Sequence, residues 1–155
     1  MSFLKVFRIV KAKRSESAFS GEGAKLFGGR WHHQGYTVVY TSGSLSLAAL
    51  EILVNLDEFP PKEIQYVSIA AVLPEKVAVQ SMDSLPEGWD GVPAPIVTQE
   101  YGTDWIRSAN TAVLRVPSAI IDSEYNHLLN PLHPDFKKII IEDPQPFSFE
   151  RFAHL

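Results

Sequence analysis

The stretch Leu45–Val54, LSLAALEILV, constrains the fold more than any other part of the chain. Ser44 or Ser46 can cap a helix that runs from here to about Leu56. On a 3.6-residue period, Ser44, Ala48, Glu51 and Asn55 fall along one stripe, and every other side is Leu, Ile, Val or Ala. A helix apolar almost all round belongs in a core, so its polar stripe must face water or a lined cleft. A lone buried carboxylate costs several kcal/mol unless it is paired or protonated. Glu51 is therefore exposed at a rim, paired inside, or used. An ordinary surface or salt-bridged glutamate is the plain alternative.

Around this helix the chain reads mostly as strands. FLKVFRIV (3–10), TVVYTS (37–42), EIQYVSIAAVL (63–73), KVAVQ (76–80), AVLRVPSAII (112–121, interrupted at Pro117) and KKIIIE (137–142, the last long strand) are rich in β-branched and aromatic residues. SESAFSGEGAKLFGGR is a short helix or loop ending at Gly28-Gly29, and TQEYGTDWIRSA (98–109) reads as a helix. LPEGWDGVPAP (85–95) is a loop, either a plain surface loop or a lid carrying Trp89. EYNHLLNPLHPDF (124–136) reads as a loop with one helical turn. Helices do not alternate regularly with strands, which favours α+β over a doubly wound sheet.

With 155 residues, one domain over 1–155 is expected. The start, MSFLKVFRIVKAKR, carries its bases within and after the apolar residues, the reverse of a secretory signal. No run approaches the roughly 18 apolar residues of a membrane span. Without cysteine there are no disulfides or thiolate metal sites, and a cytoplasmic protein is expected. The net charge of −4 hides an asymmetry: residues 1–30 hold seven of the 14 Lys and Arg and only two acids. That basic end could attract nucleic acid, a small polyanion or an acidic protein, or simply be a solvated surface. A dedicated nucleic-acid binder is usually basic as a whole, and this chain is not.

Arg30 offers Glu51 a counter-charge. It follows two glycines, which let backbone approach a ligand closely or turn sharply. GEGAKLFGG is neither a dinucleotide fingerprint nor a phosphate loop, since Leu26 stands in place of the third glycine and no Gly-Lys-Ser/Thr follows. Arg30 with Trp31 is more telling, because a guanidinium grips phosphate or carboxylate bidentately while an indole can stack on a ring. Tyr40, at the end of the strand before the Glu51 helix, is either a pocket wall or a core tyrosine with its hydroxyl bonded. Ser118 sits at the break of a strand, in no nucleophile-elbow context. The five histidines show no metal-binding helical spacing, so no metal site is expected.

GGRW, VVYTSGSLSLAALE, LRVPSAII and YNHLLNPLHPDF resemble, in order and spacing, the RES domain family, over about Phe7 to Phe152. That family, named for an arginine, a glutamate and a serine, contains the toxins of RES–Xre toxin–antitoxin pairs. Its naming residues correspond to Arg30, Glu51 and Ser118, its pocket tyrosine to Tyr40, and Asn130 joins Trp31 as a substrate-binding residue. The resemblance implies a compact α+β fold similar to ADP-ribosyltransferase toxins, with central mixed or antiparallel strands and a few short helices. It implies NAD⁺ as substrate rather than cofactor, consumed by hydrolysis or phosphorolysis, or used to ADP-ribosylate a protein. It also implies a hetero-oligomer with an Xre-like DNA-binding antitoxin that blocks the site, and no direct contact with nucleic acid or membrane.

Overall fold

The computed structural model describes residues 3–60, 63–82 and 84–154. The long strands β1 (Phe3–Lys11) and β3 (Tyr66–Pro74) pair antiparallel along their whole lengths, Phe3 opposite Pro74 and Lys11 opposite Tyr66. On the other side of β1 lies β2 (Val39–Ser42), followed by β6 (Tyr125–Leu129), β5 (Val113–Pro117) and β4 (Val79–Ser81). The short strands β7 (Ile140–Ile141) and β8 (Gln145–Phe147) both pair with β3. All pairings are antiparallel except β4 with β5, so the sheet is mixed, as expected. Among the described residues three α-helices accompany it, α1 (Glu22–Phe27), α2 (Leu45–Val54) and α3 (Ile96–Ser108). The fold class is α+β.

Both faces of the sheet are covered at β5 and β6, which explains the adjacent apolar residues Val113-Leu114 and Leu128-Leu129. Val113 and Leu129 turn into one cluster with Val6, Val39, Ile69 and Ala71. Their neighbours Leu114 and Leu128 turn the other way, into a cluster with Trp31, Val38, Val116 and Trp105 of α3. α2 sets Ala48 and Ala49 against Ile9 of β1 and Phe149, and their small side chains let helix and strand approach closely. Each fully buried Val or Leu is worth roughly 1.5–3 kcal/mol, so these clusters hold the sheet in place.

Five sequence expectations need correction. YNHLL is a full strand in the middle of the sheet, not a loop; its Asn and His obscured the pattern because Asn126 serves a polar cluster rather than the core. KKIIIE is not a long strand. Lys137 and Lys138 close a 3-10 turn begun at His133, whose Nδ1 accepts from the Asp135 N–H, and only Ile140 and Ile141 pair. Residues 118–121 lie beyond the end of β5, where Ser118 turns the chain. α2 stops at Val54 rather than Leu56, because Asn55 folds its amide back onto the Glu51 carbonyl. Within Lys76–Gln80 pairing begins only at Val79. Among the described residues no helix is long and apolar enough to cross a membrane.

α3 lies so close to the segment after Gly29 that a Cβ on Gly102 would stand 1.7 Å from the Trp31 carbonyl oxygen. Backbone cannot yield as a side-chain tip can. Gly102→Ala should destabilise the protein by at least about 2 kcal/mol, read as a lower urea midpoint, whereas Gly23→Ala, with open space around it, should not.

Candidate active site

Ser44 caps α2, its Oγ accepting from the Leu47 N–H at 3.1 Å, and the helix then carries Glu51 to the mouth of a cleft of about 540 Å³. Arg30, Trp31 and Tyr40 line the same cleft, with Asn55, Gln99 and Asn126. Residues 21 positions apart along the chain thus share one hollow, of a size suited to a small-molecule ligand. Of the stripe Ser44–Ala48–Glu51–Asn55, Glu51 and Asn55 face this cleft; with Ala48 and Tyr40 they also line a second hollow beside it, of about 340 Å³, while Ser44 lies outside both.

Glu51 has no cationic partner among the described residues; its two oxygens are held by neutral donors. Ser118 donates to Oε2 at 2.7 Å and Asn126 donates to Oε1 at 3.0 Å. Asn126 in turn lies against the Ser42 hydroxyl and the Thr41 carbonyl, so its amide is fixed by β2. Ser118 is wholly buried, and its Oγ also accepts from the N–H groups of Ile120 and Ile121. It therefore stands behind Glu51, outside the cleft lining, and can reach a ligand only through that carboxylate. Asn130 lies elsewhere: it is 2% exposed, and its Oδ1 accepts from the Leu132 N–H to shape the turn after β6.

Arg30 takes no part in an ion pair among the described residues either. Its Nη1 donates to the carbonyls of Trp89 and Gly91, which pins the loop 85–95 beside the cleft, with Pro93 and Ala94 in its wall. The remaining guanidinium donors stay available to a ligand. The backbone of Gly29-Arg30 is clamped from α3, where Gln99 donates to the Gly29 carbonyl and Thr98 to the Arg30 carbonyl. Trp31 is 2% exposed, flanked by Trp89 and Tyr101 with ring centroids 6.3 and 6.4 Å away. Burial raises the Tyr40 hydroxyl far above the ordinary phenol range, opposed by the Trp31 N–H and the charge of Arg30, so it stays protonated.

Sequence reasoning missed Asn126, Gln99 and Arg8. Asn126 could have been found from its place two residues before an apolar pair, had YNHLL been read as a strand. Arg8, on β1, lines the second hollow; its Nη1 donates to the Tyr40 carbonyl at 3.1 Å and its Nε has no partner. Burial lowers its pKa. Of the basic end, Arg30 is in the cleft, Arg8 is half-buried and Lys5 pairs with Glu142, while Lys13 and Arg14 stand exposed next to each other. Among the described residues no three His, Asp or Glu cluster as metal ligands.

The model of the RES domain matches residues 5–150. The chain belongs to the RES domain family. Among its RES relatives, "Toxin Res" of Photorhabdus laumondii is 38% identical over 136 residues, covering 87% of this chain and 86% of that protein. A "Prs ADP-ribosylating toxin" of a Sphingobium strain is 41% identical over 138 residues, covering 86% of each. The RES fold here also matches a chain of the Mycobacterium tuberculosis MbcT–MbcA toxin–antitoxin complex, with a TM-score of 0.79 at 16% identity over 99% of this chain and 89% of that one. At that identity the likeness speaks for the fold alone.

Beneath the site, His127 of β6 has both ring nitrogens buried without partners, and burial with the nearby Arg115 charge pushes its pKa down from 6.5 to about 4. Between those values the unfolded chain binds the extra proton and the folded chain does not. Its contribution is thus complete above pH 6.5 and is lost as the pH falls towards about 4. His127→Leu should flatten that part of the stability–pH curve relative to the wild type, measured by denaturant midpoints at a series of pH values.

Proposed function

We propose that this RES chain is a toxin that consumes NAD⁺ by breaking its nicotinamide–ribose bond. The observation that carries the reading is the cleft itself: a guanidinium, a phenol ring and a carboxylate held only by neutral donors line one hollow. Cleaving this bond develops positive charge on the sugar, through an oxocarbenium-like transition state. A carboxylate already neutralised by a fixed cation could do little for that charge. Ser118 and Asn126 hold the Glu51 carboxylate still without a counter-charge, so it can stabilise the developing cation and bond a ribose hydroxyl. Arg30 grips the pyrophosphate with the donors not spent on the loop. The ring of Tyr40 forms a wall for nicotinamide. The bonding pair leaves with the ring nitrogen, converting a cationic pyridinium to neutral nicotinamide, so the leaving group needs no proton. The acceptor oxygen, from water or phosphate, forms the new bond to the sugar carbon.

A second reading keeps the same site and transfers ADP-ribose to a protein. The Sphingobium relative, named for that activity at 41% identity, supports it. In either case we expect the partner to be an Xre-like antitoxin that covers the cleft. Phe27 and Ile120 stand exposed in the cleft wall and Val92 is 91% exposed next to it, an apolar rim suited to a protein partner.

Incubation with NAD⁺, with and without phosphate, followed by mass analysis of the products, tests the reading. The wild type should release nicotinamide, with ADP-ribose or its phosphate as the other product. Glu51→Gln, nearly the same shape without the charge, should lose at least roughly a hundredfold in rate. Arg30→Lys should raise KM more than it lowers kcat, since a point charge replaces a fork. A wild type that binds NAD⁺ and leaves it intact under both conditions defeats the glycohydrolase and phosphorylase forms. Labelled NAD⁺ marking a protein in lysate while bulk NAD⁺ stays level would favour the transferase form.

A further inference from the structure

His32 is 1% exposed, yet both of its ring nitrogens are engaged. Nε2 lies 2.8 Å from the Ala24 carbonyl oxygen, and Nδ1 lies 2.7 Å from the Tyr40 hydroxyl. A carbonyl can only accept, so Nε2 must carry the proton. In a neutral imidazole Nδ1 is then bare and can only accept, which obliges the Tyr40 O–H to point at it. The Trp31 N–H donates to the same hydroxyl oxygen at 3.2 Å. The one proton of Tyr40 is thus committed away from the cleft, and the side chain offers a ligand its ring, not a donor. Burial, with a smaller contribution from the neighbouring His33 charge, lowers the His32 pKa and so favours this neutral form, against the Ala24 hydrogen bond.

The second glycine of GGRWH follows from the same geometry. A Cβ on Gly29 would stand 2.8 Å from the Tyr40 hydroxyl oxygen and 3.1 Å from His32 Cε1. Any side chain there would push the pair apart. On the opposite side, Ala24 belongs to α1, which ends at Phe27 in the cleft wall. The imidazole therefore joins two walls of one hollow.

We infer that His32 is a positioning residue for the reaction: as the Nε2–H tautomer it holds the Tyr40 ring and α1 in register around the nicotinamide end of the cleft. This rests on the NAD⁺ reading given above. It also removes Tyr40 from consideration as a proton donor to the substrate.

Nitrogen-15 NMR of the full chain reads the tautomer directly, whatever the substrate. The Nε2–H form of His32 is expected, and the Nδ1–H form would overturn the inference. Steady-state kinetics supply the second arm. His32→Leu should raise KM for NAD⁺ at least tenfold with a smaller fall in kcat. His32→Asn, whose amide oxygen can replace Nδ1 as the acceptor, should recover most of that loss. Because both residues act through one contact, His32→Leu combined with Tyr40→Phe should cost clearly less than the product of the single effects. Multiplicative effects, or an Asn variant no better than Leu although equally stable to urea, would sink the positioning role. A failure of the NAD⁺ reading looks different: the wild type itself would leave NAD⁺ unchanged while the tautomer remained as inferred. Should the Leu variant not fold, the tautomer and the Asn variant still decide the matter.

Discussion

The carboxylate of Glu51 is satisfied without being neutralised, and the rest of the site depends on that. A half-buried acid is usually stabilised by a cation, which would tie up its field in a private pair. Here a serine hydroxyl and an asparagine amide take up one oxygen each. These donors restrict its rotation, but they carry no net charge. The nearest arginines are engaged elsewhere, Arg30 on loop carbonyls and Arg8 on the Tyr40 carbonyl. The Glu51 carboxylate and the Arg30 guanidinium therefore face one hollow without pairing, each open to the part of a ligand that carries the opposite charge.

Holding the carboxylate in this way draws in much of the fold. Ser118 reaches it because the chain turns immediately after β5, and Asn126 because β6 lies between β5 and β2. Glu51 itself arrives on a helix whose alanines let it lie close to β1. The opposite wall depends on two glycines, one set against backbone and one against side chains. Gly102 brings α3 onto Trp31, and Gly29 admits the contact between Tyr40 and His32. Through these contacts the segment Gly29–His33 is held by α3, α1 and β2 together.

Much of this was legible in the sequence for particular reasons. A helix with a single acid in an apolar run had to turn that acid towards a lined cleft or water, and a serine cap at Ser44 or Ser46 followed from residue type, of which the structure uses Ser44. The strands around Val6, Ile69 and Val113 were legible because the covered sheet needs β-branched residues on both faces. YNHLL escaped because its polar residues serve the site and imitate a loop. KKIIIE misled because three isoleucines carry strand propensity wherever they stand, while the His133 cap had already committed the two lysines to a turn.

Local chemistry, then, determined the elements and the residue types able to bind an anion or stabilise a cation, since periodicity, capping and charge are properties of short stretches. The motif order was also enough to indicate the RES family. Only the tertiary structure decided which groups meet. That Glu51 has hydrogen-bond donors rather than a counter-ion and that Ser118 stands behind it rather than beside a ligand are matters of strand order, joining residues 67 and 75 positions apart. That His32 meets the Tyr40 hydroxyl, eight positions on, depends on how the segment before β2 folds back against α1. Contacts between distant residues depend on how strands are arranged in the sheet, and no local pattern in the chain records that arrangement.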